Sequence, residues 1–195
     1  MSLVLASGSP RRRMMLVTSG VPIAAVCPPQ IPEVRQPNES PIDYTCRLSM
    51  EKAAAVSAVD SWVLAADTIV HIDELVFEKP RDSADAARIL ATLSGRWHDV
   101  TTAWCLQWSG PVMCSPSRYH GHTTSQVRFR ALHDVDIAAY IAQGEGVDKA
   151  GAYGIQGLGA ALVSEVKGSY ANVVGLPIVP VLDALAAVGI TPERT

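Results

Sequence analysis

Ser7-Gly8-Ser9-Pro10-Arg11-Arg12-Arg13 puts two hydroxyls, a tight turn and three guanidinium groups at the start of a predicted helix. Ser9 and Pro10 suit the cap and first turn of that helix. A helix start already carries partial positive charge, so cations belong at the other end. A capping box would place Glu or Gln three residues after Ser9, and Arg12 stands there instead. The stretch therefore reads as half of a site whose negative half is not protein. Backbone N–H groups, the Ser7 and Ser9 hydroxyls and the guanidinium forks of the arginine cluster match phosphate oxygens. The bland alternative is a solvated basic helix end.

Asp67 follows the apolar run Trp62–Ala66 and is read as a carboxylate at the end of a strand, where open α/β sheets place their ligands. There it can bind a divalent metal or take a proton from water. Its structural alternative is to cap the next turn through Thr68. Lys52, Lys79 and Glu33, each taken alone, read as solvated surface charges. Residues 144–159 hold six glycines in sixteen positions, too many for a regular element. This segment does not follow a strand and open a helix, so it is no dinucleotide fingerprint, and it lacks the Gly-Lys-Ser/Thr ending of a P-loop. Its glycines let backbone approach a flat ligand, with the Gln156 amide offering both donor and acceptor. His120 and His122, expected in a polar loop with no third ligand nearby, read as incidental. A Ser-His-Asp order, an HExxH motif and a catalytic-cysteine signature are all missing. The residues by themselves point to a site for a phosphorylated small molecule, with hydrolysis the nearest chemistry.

The elements that must carry these groups alternate. Strands are expected at residues 3–6, 23–27 and 62–66, followed by a hairpin formed from 69–72 and 75–77 around Asp73-Glu74. Further strands are expected at 98–108, 123–129 and 161–166. Helices are expected at 10–19, 42–59, from Asp82 or Ser83 to Gly95, at 135–142 and at 178–188. A proline-rich surface loop spans 28–41, and another holds Gly110-Pro111 and Ser115-Pro116. Alternation of this kind gives the α/β class, without internal repeats.

With 48% hydrophobic and 18% charged residues, 195 residues suffice for one domain or two small lobes around one cleft. The net charge of −3 argues against a general nucleic-acid binder, so the basic cluster is local. No run of 18 apolar residues suggests a membrane span. The arginines follow the short apolar start rather than precede it, unlike a signal peptide. Cys27, Cys46, Cys105 and Cys114 are scattered without a CxxC pair, as free thiols in a cytoplasmic protein would be. Asn38-Glu39-Ser40 matches a glycosylation acceptor by chance in that setting.

In order along the chain, LASGSPRRRMML, AADTIV, EKPRDSADAARILATLSGRWHDVTT, GEGVDKAGAYGIQGLGA and VKGSYANVVGLP resemble the motifs of the Maf family of nucleoside triphosphate pyrophosphatases. The resemblance spans essentially the whole chain as one Maf-like domain, residues 1–195. It implies a mixed, twisted sheet flanked by helices, two lobes around a cleft, similar to the inosine triphosphate pyrophosphatase-like fold, and a homodimer. The implied reaction cleaves a nucleoside triphosphate to monophosphate and pyrophosphate with a divalent cation, Mg²⁺ or Mn²⁺. Asp67 is implied as the catalytic carboxylate and, with Glu33, as a metal ligand. Ser7, Arg11, Arg12, Lys52, Thr68, Lys79 and Gln156 are implied to bind substrate. Arg11, Thr68 and Gln156 resemble the combination of the dTTP/UTP subgroup. Glu78 stands where the family has Gly before Lys-Pro, and Pro32 precedes Glu33 where the family reads Asp-Glu. A different class of function, a protein that holds or senses a pyrimidine nucleotide in connection with cell division, would use the same phosphate site but have no use for Asp67.

Overall fold

Short apolar segments joined by capped helices dictate the first part of the chain. The order is β1 (Ser2–Ala6), α1 (Pro10–Thr18), β2 (Ala25–Val26), α2 (Pro41–Ala54) and β3 (Ser61–Ile72). The structure, a computed structural model, describes residues 1–111 and 116–192. Cys114 and Ser115, read above as a free thiol and part of a loop, lie outside the described residues. β1 pairs in parallel with both β2 and β3, between which it lies. The chain steps off β1 in one direction through α1 and crosses it again through α2. That reversal makes the carboxyl end of β1 a topological switch point, where open α/β sheets bind ligands.

The remaining elements are β4 (Leu75–Phe77), α3 (Ser83–Leu93), β5 (Trp97–Ser109), β6 (Arg118–Phe129), α4 (Asp134–Ala142), β7 (Val163–Lys167), α5 (Tyr170–Val174) and α6 (Ile178–Ala187). Two short 3₁₀ helices, Ala150–Ala152 and Gly157–Leu162, lie in the glycine-rich segment. The seven strands form an open sheet in the order β2-β1-β3-β5-β6-β7, with β4 paired to β3 off this path. Parallel pairs at β1 and antiparallel pairs at β3–β4 and β6–β7 make it a mixed sheet, as expected.

The chain divides into two compact units. The first comprises Met1–Asp67, Thr102–Thr123 and Gly175–Thr195; the second comprises Thr68–Thr101 and Thr124–Val174. In the first, the two-residue period of the strands sorts side chains onto two faces. Leu3 and Leu5 of β1 and Trp62, Leu64 and Ala66 of β3 join Leu16 of α1 and Val181, Ala184 and Leu185 of α6. Val4, Ala6, Val63 and Ala65 face the other way, with Met50 and Ala53 of α2. In the second unit, α3 starts where Asp82 Oδ1 accepts the Asp85 N–H at 2.8 Å, and buries Ala86, Ile89, Leu90 and Leu93 along one stripe. Phe129 and Tyr153 meet edge-on with centroids 4.7 Å apart, and His98 joins them with Nε2 2.8 Å from the Tyr153 hydroxyl.

Four local expectations are corrected. Asp67 is not at a strand end: β3 runs unbroken through it, and Val70–Ile72 beyond it pair with β4. α2 stops at Ala54 rather than near residue 59, since the chain must turn at Asp60 (φ 47°) to enter β3. His120 and His122 lie within β6, not in a loop. The expected strand at 23–27 shrinks to two residues, and the helix Tyr170–Val174 was not foreseen because its five residues are too few to show a period.

His98 is 2% exposed, and burial pushes its imidazole down to about 4, with His71 adding a smaller push in the same direction. The unfolded chain, titrating near 6.5, then binds a proton that the folded chain refuses between about pH 6.5 and 4. Stability should fall as pH drops through that window, by about 3 kcal/mol in all and somewhat less by pH 4.5. Urea unfolding at pH 7 and pH 4.5 measures it, and a His98→Gln protein should lose most of the difference.

Candidate functional site

Asp67 faces α2 for a reason visible in the strand period. It shares parity with Val63 and Ala65, which pack against α2, so its carboxylate emerges on that side just past Ala65, the last residue paired with β1. Lys52 precedes the buried Ala53 in the last turn of α2 and is itself 8% exposed. Its Nζ donates to Asp67 Oδ1 at 2.6 Å and lies 2.8 Å from Glu33 Oε1. One ammonium thus holds a buried carboxylate and a half-open one.

The loop that carries Glu33 is clamped to α2. Arg47 donates to both oxygens of Glu39 at 2.7 and 2.8 Å, to Glu51 at 3.1 Å and to the Val34 carbonyl at 3.0 Å. Tyr44 donates its hydroxyl to the Glu33 carbonyl at 3.1 Å. The Arg47 guanidinium holds the Glu39 carboxyl below its ordinary range. These clamp residues were missed at the sequence level. Arg47 and Glu51 are a readable helical i,i+4 pair, but nothing in the spacing gives Glu39 or Tyr44 away.

At the carboxyl end of β1, Ser7 is buried and its hydroxyl accepts from the Ser9 N–H at 3.2 Å and from Arg12 Nη1 at 3.2 Å. Ser9 caps α1 by accepting the Arg12 N–H. Arg12 turns back from the helix, and its Nε donates to the Gly175 carbonyl at 2.8 Å. Gly175 has φ 125°, a conformation that a side chain would resist. Burial lowers the Arg12 pKa; Asp67 and Glu33 raise it and Arg11 lowers it further. Arg11 is half-buried and Arg13 is exposed.

The other predicted site residues belong to the second unit. Thr68 is bonded directly to Asp67 in β3 and is half-buried, while Lys79 is exposed in the turn after β4. Gln156 is exposed at the cap position of the second 3₁₀ helix, where its side chain makes no capping bond. Nearby backbone is packed tightly: a Cβ on Gly159 would overlap the Gly154 carbonyl oxygen.

The structure thus brings Ser7, Arg12, Glu33, Lys52 and Asp67 into one polar cluster. Asp67 and Glu33 supply hard oxygen donors that already share a cation. Such a pair suits a small divalent ion completed by phosphate oxygens and water rather than a cage of protein ligands. Among the described residues no group of three or more His, Cys, Asp or Glu side chains forms such a cage. His122 Nδ1 lies 3.9 Å from Cys46 Sγ, a pair without that third member.

Removing Lys52 would leave a buried Asp67 unpaired. Lys52→Met should destabilise the fold by roughly 2–4 kcal/mol, and Lys52→Met with Asp67→Leu should recover much of the loss. Unfolding curves of the two variants decide it; equal instability of both would mean that the pair is not coupled.

A sequence profile described as Maf-like protein matches residues 2–188. The dTTP/UTP pyrophosphatase of Escherichia coli O157:H7 is 48% identical over 189 residues, covering 95% of this chain and 92% of the relative. The dTTP/UTP pyrophosphatase of Desulfotalea psychrophila is 44% identical over 187 residues, covering 94% and 92%. That of Shigella dysenteriae serotype 1 is 48% identical over 189 residues, with 95% and 92% covered. From β1 to the end of α6, this chain belongs to the Maf family.

Proposed function

We propose that the chain hydrolyses dTTP and UTP, and modified pyrimidine nucleotides of the same shape, to the monophosphate and pyrophosphate. The observation that carries the reading is the buried Lys52 ammonium between Asp67 and Glu33, in one cluster with the Arg12 guanidinium that Ser7 and Gly175 hold. The names of the relatives support the substrate.

In this reading the Ser7 hydroxyl, Arg12 and Lys52 bind phosphate oxygens, and Lys79 adds a further cation to them. A triphosphate of about four negative charges supplies the counter-charge that α1 lacks at its start. Asp67 takes the proton from the attacking water as its oxygen bonds to phosphorus and the α–β anhydride opens. Lys52 holds the Asp67 carboxylate in place through their 2.6 Å hydrogen bond. Asp67 and Glu33 would hold a Mg²⁺ or Mn²⁺ ion, which when bound neutralises charge on the phosphates. Gln156 reads the uracil or thymine edge, matching a carbonyl acceptor and the ring N–H through its amide, and Arg11 and Thr68 take part in base choice. A protein that merely held the polyanion would gain nothing from a buried carboxylate among its cations. The same reading takes the protein as one Maf-like domain, working as a cytoplasmic homodimer without a membrane or nucleic-acid partner. No described helix is long and apolar enough to cross a membrane.

Pyrophosphate release measured over all common nucleoside triphosphates with Mg²⁺ or Mn²⁺ is the direct test. UTP and dTTP should be cleaved best, with CTP slower by about ten- to a hundredfold because its amino group meets a donor. Asp67→Asn should fold and lose ~10²–10⁴ in kcat. An unchanged kcat in that variant would return the chain to the binding-protein class.

A further inference from the structure

A short helix leaves its first N–H groups without internal acceptors, and the residue at the cap position ordinarily supplies one. Gln156 occupies that position before Gly157–Leu162 and does not cap. The acceptor comes from Glu145, at the far end of the glycine-rich segment. Its Oε2 accepts the Leu158 N–H at 2.8 Å and its Oε1 the Gly159 N–H at 3.2 Å. Both carboxylate oxygens are thereby engaged, so Glu145 is not itself a ligand. Its own backbone is held as well, because the Lys149 ammonium donates to the Glu145 carbonyl. The Tyr140 hydroxyl accepts the Gly154 N–H at 3.1 Å, which ties the other flank of Gln156.

From this arrangement we infer that Glu145 is a positioning residue for base selection: by capping the 3₁₀ helix in place of Gln156, it leaves the Gln156 amide turned outward for the pyrimidine. Without Glu145, the Gln156 amide oxygen, already at the cap position, is free to turn back and accept the vacant N–H groups, and an amide so engaged cannot read a base. The inference rests on the proposed role of Gln156 as the base-recognising amide.

The test compares kcat/KM for UTP and CTP in the wild type, Glu145→Ala, Glu145→Gln, Gln156→Ala and the double variant Glu145→Ala/Gln156→Ala. The UTP-to-CTP ratio should fall about five- to tenfold in Glu145→Ala, the size of a lost cap, with the loss for UTP seen mainly in KM. Glu145→Gln, whose amide has one acceptor oxygen, should retain an intermediate ratio. In the Gln156→Ala background the Glu145→Ala change should leave the ratio where it is, since the two residues act through one amide. A Glu145→Ala protein that loses activity on UTP and CTP by the same factor would reduce Glu145 to a structural role and overturn the inference. So would multiplicative effects in the double variant. Should Glu145→Ala fail to fold, the Glu145→Gln ratio decides, and a wild-type value there counts against the inference. A wild type that does not prefer UTP overturns the role of Gln156 and this inference together, whereas a selective wild type with a selective Glu145→Ala overturns this one alone.

Discussion

A single ammonium group organises the polar cluster of this protein. Lys52 Nζ is within 2.8 Å of two carboxylates, one of them buried in β3 and the other on a proline-rich loop. A buried carboxylate without a partner is costly, and a lysine taken out of water equally so. Each makes the other tolerable, and the pair fixes where α2 lies along β3. Glu33 then gains a defined place from the same cation, although its loop has no regular hydrogen-bonding pattern of its own. The Arg47–Glu39 clamp matters for this reason: it holds the loop close enough for Glu33 to share the ammonium.

The cluster also shows how a fold can fix its cations in place. Arg12 lies near Asp67, Glu33 and Arg11, and its guanidinium is held by the Ser7 hydroxyl and the Gly175 carbonyl. A helix start, an anchored guanidinium and a shared ammonium together form a region that suits a polyanion. Binding energy of that kind comes from preorganised charge, because the side chains are already anchored by Ser7, Gly175, Asp67 and Glu33 before any ligand is present.

The glycine-rich segment solves a different problem. Glycine allows its backbone to pack against itself, as at Gly159 and Gly154, but offers no side chains to hold it in place. The anchors are borrowed: Tyr153 docks on Phe129 and His98, and the Glu145 carboxylate and Tyr140 hydroxyl accept its N–H groups. Order in this segment is therefore a property of the neighbouring strands and of α4, and acidification that charged His98 would reach it through Tyr153.

The sequence alone determined the alternation of strands and helices, the capped start of α1 with its misplaced arginines, a helix that begins at Asp82 or Ser83, and the Asp73-Glu74 hairpin. Each of these rests on local rules: caps, periods and turn residues act within a few positions of one another. The ordered motifs also carried the family. Tertiary structure decided the rest. Lys52 and Glu33 looked like ordinary surface charges because their meaning lies in a contact across 15 or more residues, set by strand parity and by the face of the sheet that α2 covers. Asp67 read as a strand end because its polar side chain interrupts the apolar run, whereas the backbone continues wherever neighbouring strands supply partners. Glu145 was silent for the same reason: hydrogen bonds from N–H groups thirteen and fourteen residues away leave no periodic trace in a sequence.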